Sequence, residues 1–232
     1  MTRTPDPFMD PAAVASYLRD TPRKVPGLAD LHKMTALLIA EKAPRAAHVL
    51  VVGAGGGLEI RALAQAQPDW LFTGVDPSPA MLDIARQTLF DCAERADLIQ
   101  GTAVDAPQGP FDGAVCLLTL HFLSRDERLQ TLREIHSRLK PGGIFVAAHH
   151  SSPGGEAETW LARSAAFAAG ATADPHKAAA LAKAMAERLP LLSPAEEEDC
   201  FRDAGFKTPS LFYAALSFRG WVMSAGGGEA GK

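Results

Sequence analysis

One short stretch constrains this chain more than any other: His48-Val49-Leu50-Val51-Val52 runs straight into Gly53-Ala54-Gly55-Gly56-Gly57-Leu58-Glu59. An apolar, β-branched run that stops at a glycine-rich turn, with a helix-compatible segment behind it, reads as strand, turn, helix. Glycines let the backbone turn sharply and let a ligand lie directly against it. In an open α/β sheet, that geometry makes a binding site at the carboxyl end of the strand. Asp76 ends the next apolar run, Leu71-Phe72-Thr73-Gly74-Val75, and an acid there can hold the two hydroxyls of a ribose.

The glycine spacing narrows the ligand. A dinucleotide fingerprint, G-x-G-x-x-G, needs a glycine where Leu58 stands, and no Lys-Ser/Thr pair follows to make a phosphate-binding P-loop. The pattern is G-x-G-x-G, at Gly53, Gly55 and Gly57. Together with Asp76 and with Arg138-Leu139-Lys140-Pro141-Gly142-Gly143-Ile144-Phe145-Val146, it resembles the class I S-adenosylmethionine-dependent methyltransferases over roughly residues 25–224. The resemblance implies a three-layer α/β/α Rossmann-like fold. Its sheet would be mostly parallel and seven-stranded with an antiparallel last strand, joined by N-terminal helices and a helical insert.

The periodicity along the chain agrees. Strands are expected near 48–52, 70–75, 97–101, 111–118 and 143–149, alternating with helices, and two final strands at 206–213 and 215–224. Ser78-Pro79 opens a helix over 79–90, Ser124-Arg125-Asp126-Glu127 a helix to about 139, and Ser193-Pro194-Ala195-Glu196 a helix ending at Gly205. Residues 11–45 carry helices at 11–20 and 28–42, which can lid the cofactor site. Residues 1–10 and the glycine-rich tail 225–232 are expected to be disordered, leaving one domain over 11–224. The alanine-rich segment 156–190 has helical period and reads as a lid or substrate lobe, or as helices packing on a dimer partner; both can hold.

What the resemblance implies for the site can be written residue by residue. Leu28 and Val52 would flank the cofactor, and Gly53, Ala54 and Gly55 would run along its methionine part. Asp76 would accept from the ribose, Pro77 and Met81 would pack on the adenine, Thr102 would accept from the adenine amino group and the Ala103 N–H would donate to the ring. Leu117 and Leu118 would face the sulfonium end. The family often carries an acid where Val51 stands; here the methionine ammonium must rely on backbone carbonyls around Gly53.

Within that superfamily the chain looks most like the carboxy-S-adenosylmethionine synthase group, which serves tRNA wobble-uridine modification. The shared features are Val25-Pro26-Gly27, Ser78-Pro79-Ala80-Met81, Thr119-Leu120-His121-Phe122-Leu123, Asp126-Glu127-Arg128 and Ala204-Gly205-Phe206. The group's ligand contacts do not follow: its tyrosine is Leu28 here, its asparagine is Leu117, and its carboxylate-binding arginine is at best Lys183, which lacks the bidentate fork. The expectation is ordinary S-adenosylmethionine, with S-adenosylhomocysteine as product and a small-molecule acceptor. The alternatives are the synthase activity itself and a non-catalytic S-adenosylmethionine-binding protein.

Methyl transfer needs a base only if the acceptor must lose a proton. His121, His149 and His150 are the candidates, each near a strand's carboxyl end; His149 and His150 point to opposite faces, so one at most faces the site. His121 and His149 are taken as the catalytic pair. A net charge of −4 without a basic stripe argues against a nucleic-acid partner. Three scattered cysteines show no metal spacing and suit a reducing compartment. Without an apolar run long enough to span a bilayer or a secretory signal, the expected place is the cytoplasm, with a homodimer compatible.

Overall fold

A computed structural model describes residues 11–226, so the expected disorder of 1–10 and 227–232 lies outside the described residues. Two helices, α1 (Pro11–Lys24) and α2 (Leu28–Ala40), precede an alternating series: β1 (His48–Val52), α3 (Leu58–Ala66), β2 (Leu71–Asp76), α4 (Pro79–Thr88), β3 (Ala96–Gln100), β4 (Phe111–Leu117), α5 (Arg125–Arg138) and β5 (Leu139–His150). Then come α6 (Ala157–Ala169), α7 (Pro175–Arg188), α8 (Pro194–Asp203), β6 (Phe206–Ala215) and β7 (Phe218–Ala225). The sheet order is β3-β2-β1-β4-β5-β7-β6. Only β7 runs antiparallel, slotted between β5 and β6.

Several helices begin where a side chain satisfies free backbone amides. Ser78 caps α4 by accepting from the Met81 amide at 3.3 Å. Ser124 and Glu127 form a reciprocal box at α5, and Ser193 and Glu196 form another at α8. Several boundaries differ from the sequence reading, most by one to three residues. Helix α1 runs past Thr21-Pro22 to Lys24. Strand β5 starts at Leu139, ahead of Pro141-Gly142-Gly143, because Leu139 pairs with Phe111 and a register shift between Phe111 and Gly113 absorbs the irregular step. Strand β7 takes in Ala225, which pairs with Phe206.

Alternation along the strands sorts the core into two faces. Val49, Val51, Val115, Leu117, Val146 and Ala148 pack beneath α2 and α3 against Leu31, Ile39, Ile60 and Leu63. Leu50, Val52, Ala114, Cys116, Phe145 and Ala147 face the other way, against Leu132 and Ile135 of α5 and Cys200 and Phe201 of α8. Gly57 lets α3 come close to α4: a Cβ there would stand 3.2 Å from the Ala85 Cα. The insert forms two helices, α6 and α7, that pack on each other.

The second face holds an ionic cluster. Arg128 and Glu197 are paired with both side chains fully buried, and His149 Nε2 lies 2.9 Å from Glu197 Oε1. Arg128 also donates to the carbonyls of Leu123 and Pro190, tying α5 to the segment that leads into α8. Burial alone would raise the Glu197 carboxyl, but His149 and Arg128 together hold it below its ordinary range. Removing the anion strands a buried guanidinium, so Glu197→Ala is expected to lower unfolding free energy by about 3–5 kcal/mol in chemical denaturation.

Candidate cofactor and acceptor site

The glycine turn is pinned from β2. Gly53 and Ala54 both donate to the Val75 carbonyl, at 2.9 and 3.0 Å. The Asp76 carboxylate accepts from the Gly55 amide through one oxygen and from the Ser78 amide through the other, each at 2.9 Å. Gly53, Gly55 and Gly57 all have positive φ, at 77°, 50° and 79°, which side chains rarely tolerate. A Cβ on Gly53 would fall 2.0 Å from Thr119 Oγ1, so the loop after β4 closes directly on this glycine.

Tyr17 of α1 lies across the turn. A Cβ on Gly56 would meet its ring at 2.8 Å, and one on Gly55 would meet its hydroxyl at 3.2 Å. The Tyr17 phenol is pushed far above its ordinary range, first by burial and then by the charges of Glu59 and Asp76. Behind it is a void of about 10 Å3, room for about one water. Its walls are Tyr17, Thr21, Leu28, His32, Leu58, Glu59, Leu117 and Leu118. Glu59 is buried in the first turn of α3, and burial, with some repulsion from Asp76, lifts its carboxyl to about 8. His32 on α2 is pushed down to about 4 by burial.

The sequence-derived residues thus divide by place. Leu28, Leu117 and Leu118 meet at the void. Leu118 has φ 58°, a strained value for a leucine, just where β4 gives way to the loop carrying Thr119. Met81 is buried with its methyl under the glycine turn, and Pro77 is exposed beside it. Thr102 is exposed and takes a different local partner: its amide and hydroxyl both donate to Asp105. Ala103 and Val52 are buried in the core face opposite the void. Tyr17, Glu59 and His32 were absent from the sequence reading; the acid next to a glycine turn was the one available signal.

The histidines also separate. His121 follows β4, buried, with Nδ1 lacking a hydrogen-bond partner among the described residues. Its ring lies 5.0 Å from that of His150. His150 is oriented by Ser217, Nδ1 to Oγ 2.7 Å, itself 2.6 Å from Ser164 Oγ of α6, and it stacks on Phe218. His149, on the opposite face, belongs to the Glu197 cluster. Burial, then the neighbouring histidines, keep His121 well below its ordinary range, and burial brings His150 to about 3.

This strand order, with the glycine turn after β1 and an acid ending β2, is the class I S-adenosylmethionine-dependent methyltransferase fold. Residues 49–143 match the family described as "Methyltransferase domain". A carboxy-S-adenosyl-L-methionine synthase from Chromohalobacter salexigens is 31% identical over 157 residues, 66% of this chain and 58% of the relative. A demethylmenaquinone methyltransferase from Symbiobacterium thermophilum is 36% identical over 112 residues, 46% of this chain and 43% of that protein. The crystal structure of a candidate O-methyltransferase from Nostoc punctiforme PCC 73102 superposes with TM-score 0.68 at 23% identity, over 91% of this chain and 59% of that one. The chain therefore spans little more than half the length of the first curated relatives it matches. Residues 49–143 thus carry the sequence of a methyltransferase domain, on a fold shared with methyltransferases of known structure. No helix among the described residues is long and apolar enough to cross a membrane.

The buried titratable groups set a pH dependence. His32, His121 and His150 have folded pKa values below the ordinary 6.5, so between about 6.5 and 4 the unfolded chain binds more protons and stability falls as pH falls. Glu59 acts oppositely: its folded value of about 8 exceeds the ordinary 4.5, so its contribution is full below 4.5 and is lost as pH rises through 8. Thermal melts should therefore show Tm dropping below pH 6.5. The Glu59→Gln variant should gain on the parent steadily from pH 5 to pH 8; a pH-independent gap would contradict the buried neutral carboxyl.

Proposed function

We propose that the chain is an S-adenosylmethionine-dependent methyltransferase acting on a small-molecule acceptor. The observation that supports this most is the Gly53–Gly57 turn, pinned by Asp76, beside a void walled by Leu28, Leu117 and Leu118 together with Tyr17 and Glu59. Bound S-adenosylmethionine would supply a methyl group already activated by its sulfonium. The residues suit that ligand. Asp76 is a fixed carboxylate at the end of β2, an acceptor of the kind that ribose hydroxyls need. Positive-φ glycines allow close contact along the turn, and Met81 offers a soft surface beside it. Leu117 and Leu118 keep water from the sulfonium end.

His121 carries the base role in this reading, since its Nδ1 has no hydrogen-bond partner among the described residues and His149 is held by Glu197. An imidazole so reluctant to charge contributes little to proton removal. Catalysis then rests mainly on alignment and exclusion of water, which suits an acceptor that needs little deprotonation. The synthase reading draws on the curated relatives but finds less support at the void. No arginine or lysine lines it to pair with an added carboxylate, and Lys183 is exposed on α7.

The void is far smaller than a nucleoside, so ligand binding in this reading requires Tyr17 to leave the Gly55–Gly56 backbone. Titration with S-adenosylhomocysteine is expected to saturate. Asp76→Asn should weaken it by about tenfold or more, through lost charge-assisted hydrogen bonds. Tyr17→Ala should speed association in stopped flow. No saturable binding at millimolar ligand would remove the reading.

A further inference from the structure

Glu59 is the one carboxyl that lines the void, and it is only 4% exposed. Its side chain accepts from its own amide, and no ion pair to it is found among the described residues. Every other buried acid near the core has a role: Asp76 holds the glycine turn and Glu197 holds Arg128. An acid buried without a cation is costly, and a buried acid that lines a pocket marks a candidate ligand contact. The titratable groups around it are Tyr17 from α1, His32 from α2 and Asp76 at the end of β2, none of them cationic at neutral pH. It shares the pocket wall with Leu117 and Leu118, and in the methyltransferase reading the amino-acid part of the cofactor is received at that end of the site. That part carries a primary ammonium, and Val51, the β1 residue nearest the turn on this face of the sheet, is apolar.

We propose that Glu59 is the counter-anion for the α-ammonium of S-adenosylmethionine, received in the void behind Tyr17. The assignment rests on the methyltransferase reading above. When the ammonium arrives, the Glu59 carboxyl gives its proton to solvent and the carboxylate accepts a charge-assisted hydrogen bond. The site thus selects for an intact amino-acid moiety as well as for the nucleoside. The carboxyl's neutral state in the free protein is what makes proton release accompany binding at pH 7.

The test is calorimetric titration of the full chain with two ligands, S-adenosylhomocysteine and 5′-methylthioadenosine, which lacks the amino acid. In the parent protein, S-adenosylhomocysteine should bind more tightly and release close to one proton, read from heats in two buffers of different ionisation enthalpy. The 5′-methylthioadenosine should release none. Glu59→Gln should weaken S-adenosylhomocysteine by about tenfold or more, abolish the proton release and leave 5′-methylthioadenosine unchanged within a factor of two. Equal weakening of both ligands by Glu59→Gln, or parent binding without proton release, would overturn the assignment; the second result needs no folded variant. Failure of the parent to bind either ligand would instead strike the methyltransferase reading, and the assignment with it.

Discussion

The carboxyl end of β2 is the knot on which the site depends. One carboxylate, Asp76, takes the amide of Gly55 with one oxygen and the amide of Ser78 with the other. Its own carbonyl accepts from Gly101 beyond β3, and the preceding Val75 carbonyl accepts from Gly53 and Ala54. Three separate connections, after β1, β2 and β3, are therefore fixed to two adjacent residues. Hydrogen bonds from backbone amides to a charged, buried acceptor are among the stronger ones a protein makes. The turn can be almost all glycine, and so entropically expensive, because this knot removes its freedom.

From that knot the sheet separates two kinds of chemistry. The face under α2 and α3 carries the void, Tyr17, Glu59 and His32. The face under α5 and α8 carries Arg128, Glu197 and His149, an ionic pack that fastens helices to one another. The adjacent residues His149 and His150 thus serve opposite sides: one is fixed by a carboxylate, the other is stacked on Phe218 and steered by Ser217. His121 reaches toward this divide from the neighbouring strand exit.

Much of this was legible in the sequence because it is local. The glycine turn, the acid after β2, the three serine caps and the opposite facing of His149 and His150 follow from spacing alone, and the alternation gave the parallel core. What was missed depends on distant segments. Glu59 in a first helical turn is fully explained by the helix dipole until α1 and α2 are known to cross above it. Tyr17 carries no signal in its own segment; its meaning comes from Gly55 and Gly56, far along the chain. Thr102 has a capping partner in Asp105, the loop cap that the spacing suggested, and both its amide and its hydroxyl are given to it. The early stop at Thr21-Pro22 and the late start of β5 have the same origin, since proline and glycine mark breaks that packing overrode.

The placement of β7 between β5 and β6 bears on how the chain reaches this state. On a ribosome, β5 emerges early, with one edge paired to β4 and the other bare. Its partner on that edge, Phe218–Ala225, is made only after α6, α7, α8 and β6 have appeared. Until then β6 too has no neighbour, because the strand that joins it to the sheet is the same one. An apolar central strand such as Ile144-Phe145-Val146-Ala147-Ala148 with an open edge is a template for pairing with other chains. The sheet therefore cannot close until β7, the last strand made, supplies the pairing that both β5 and β6 need.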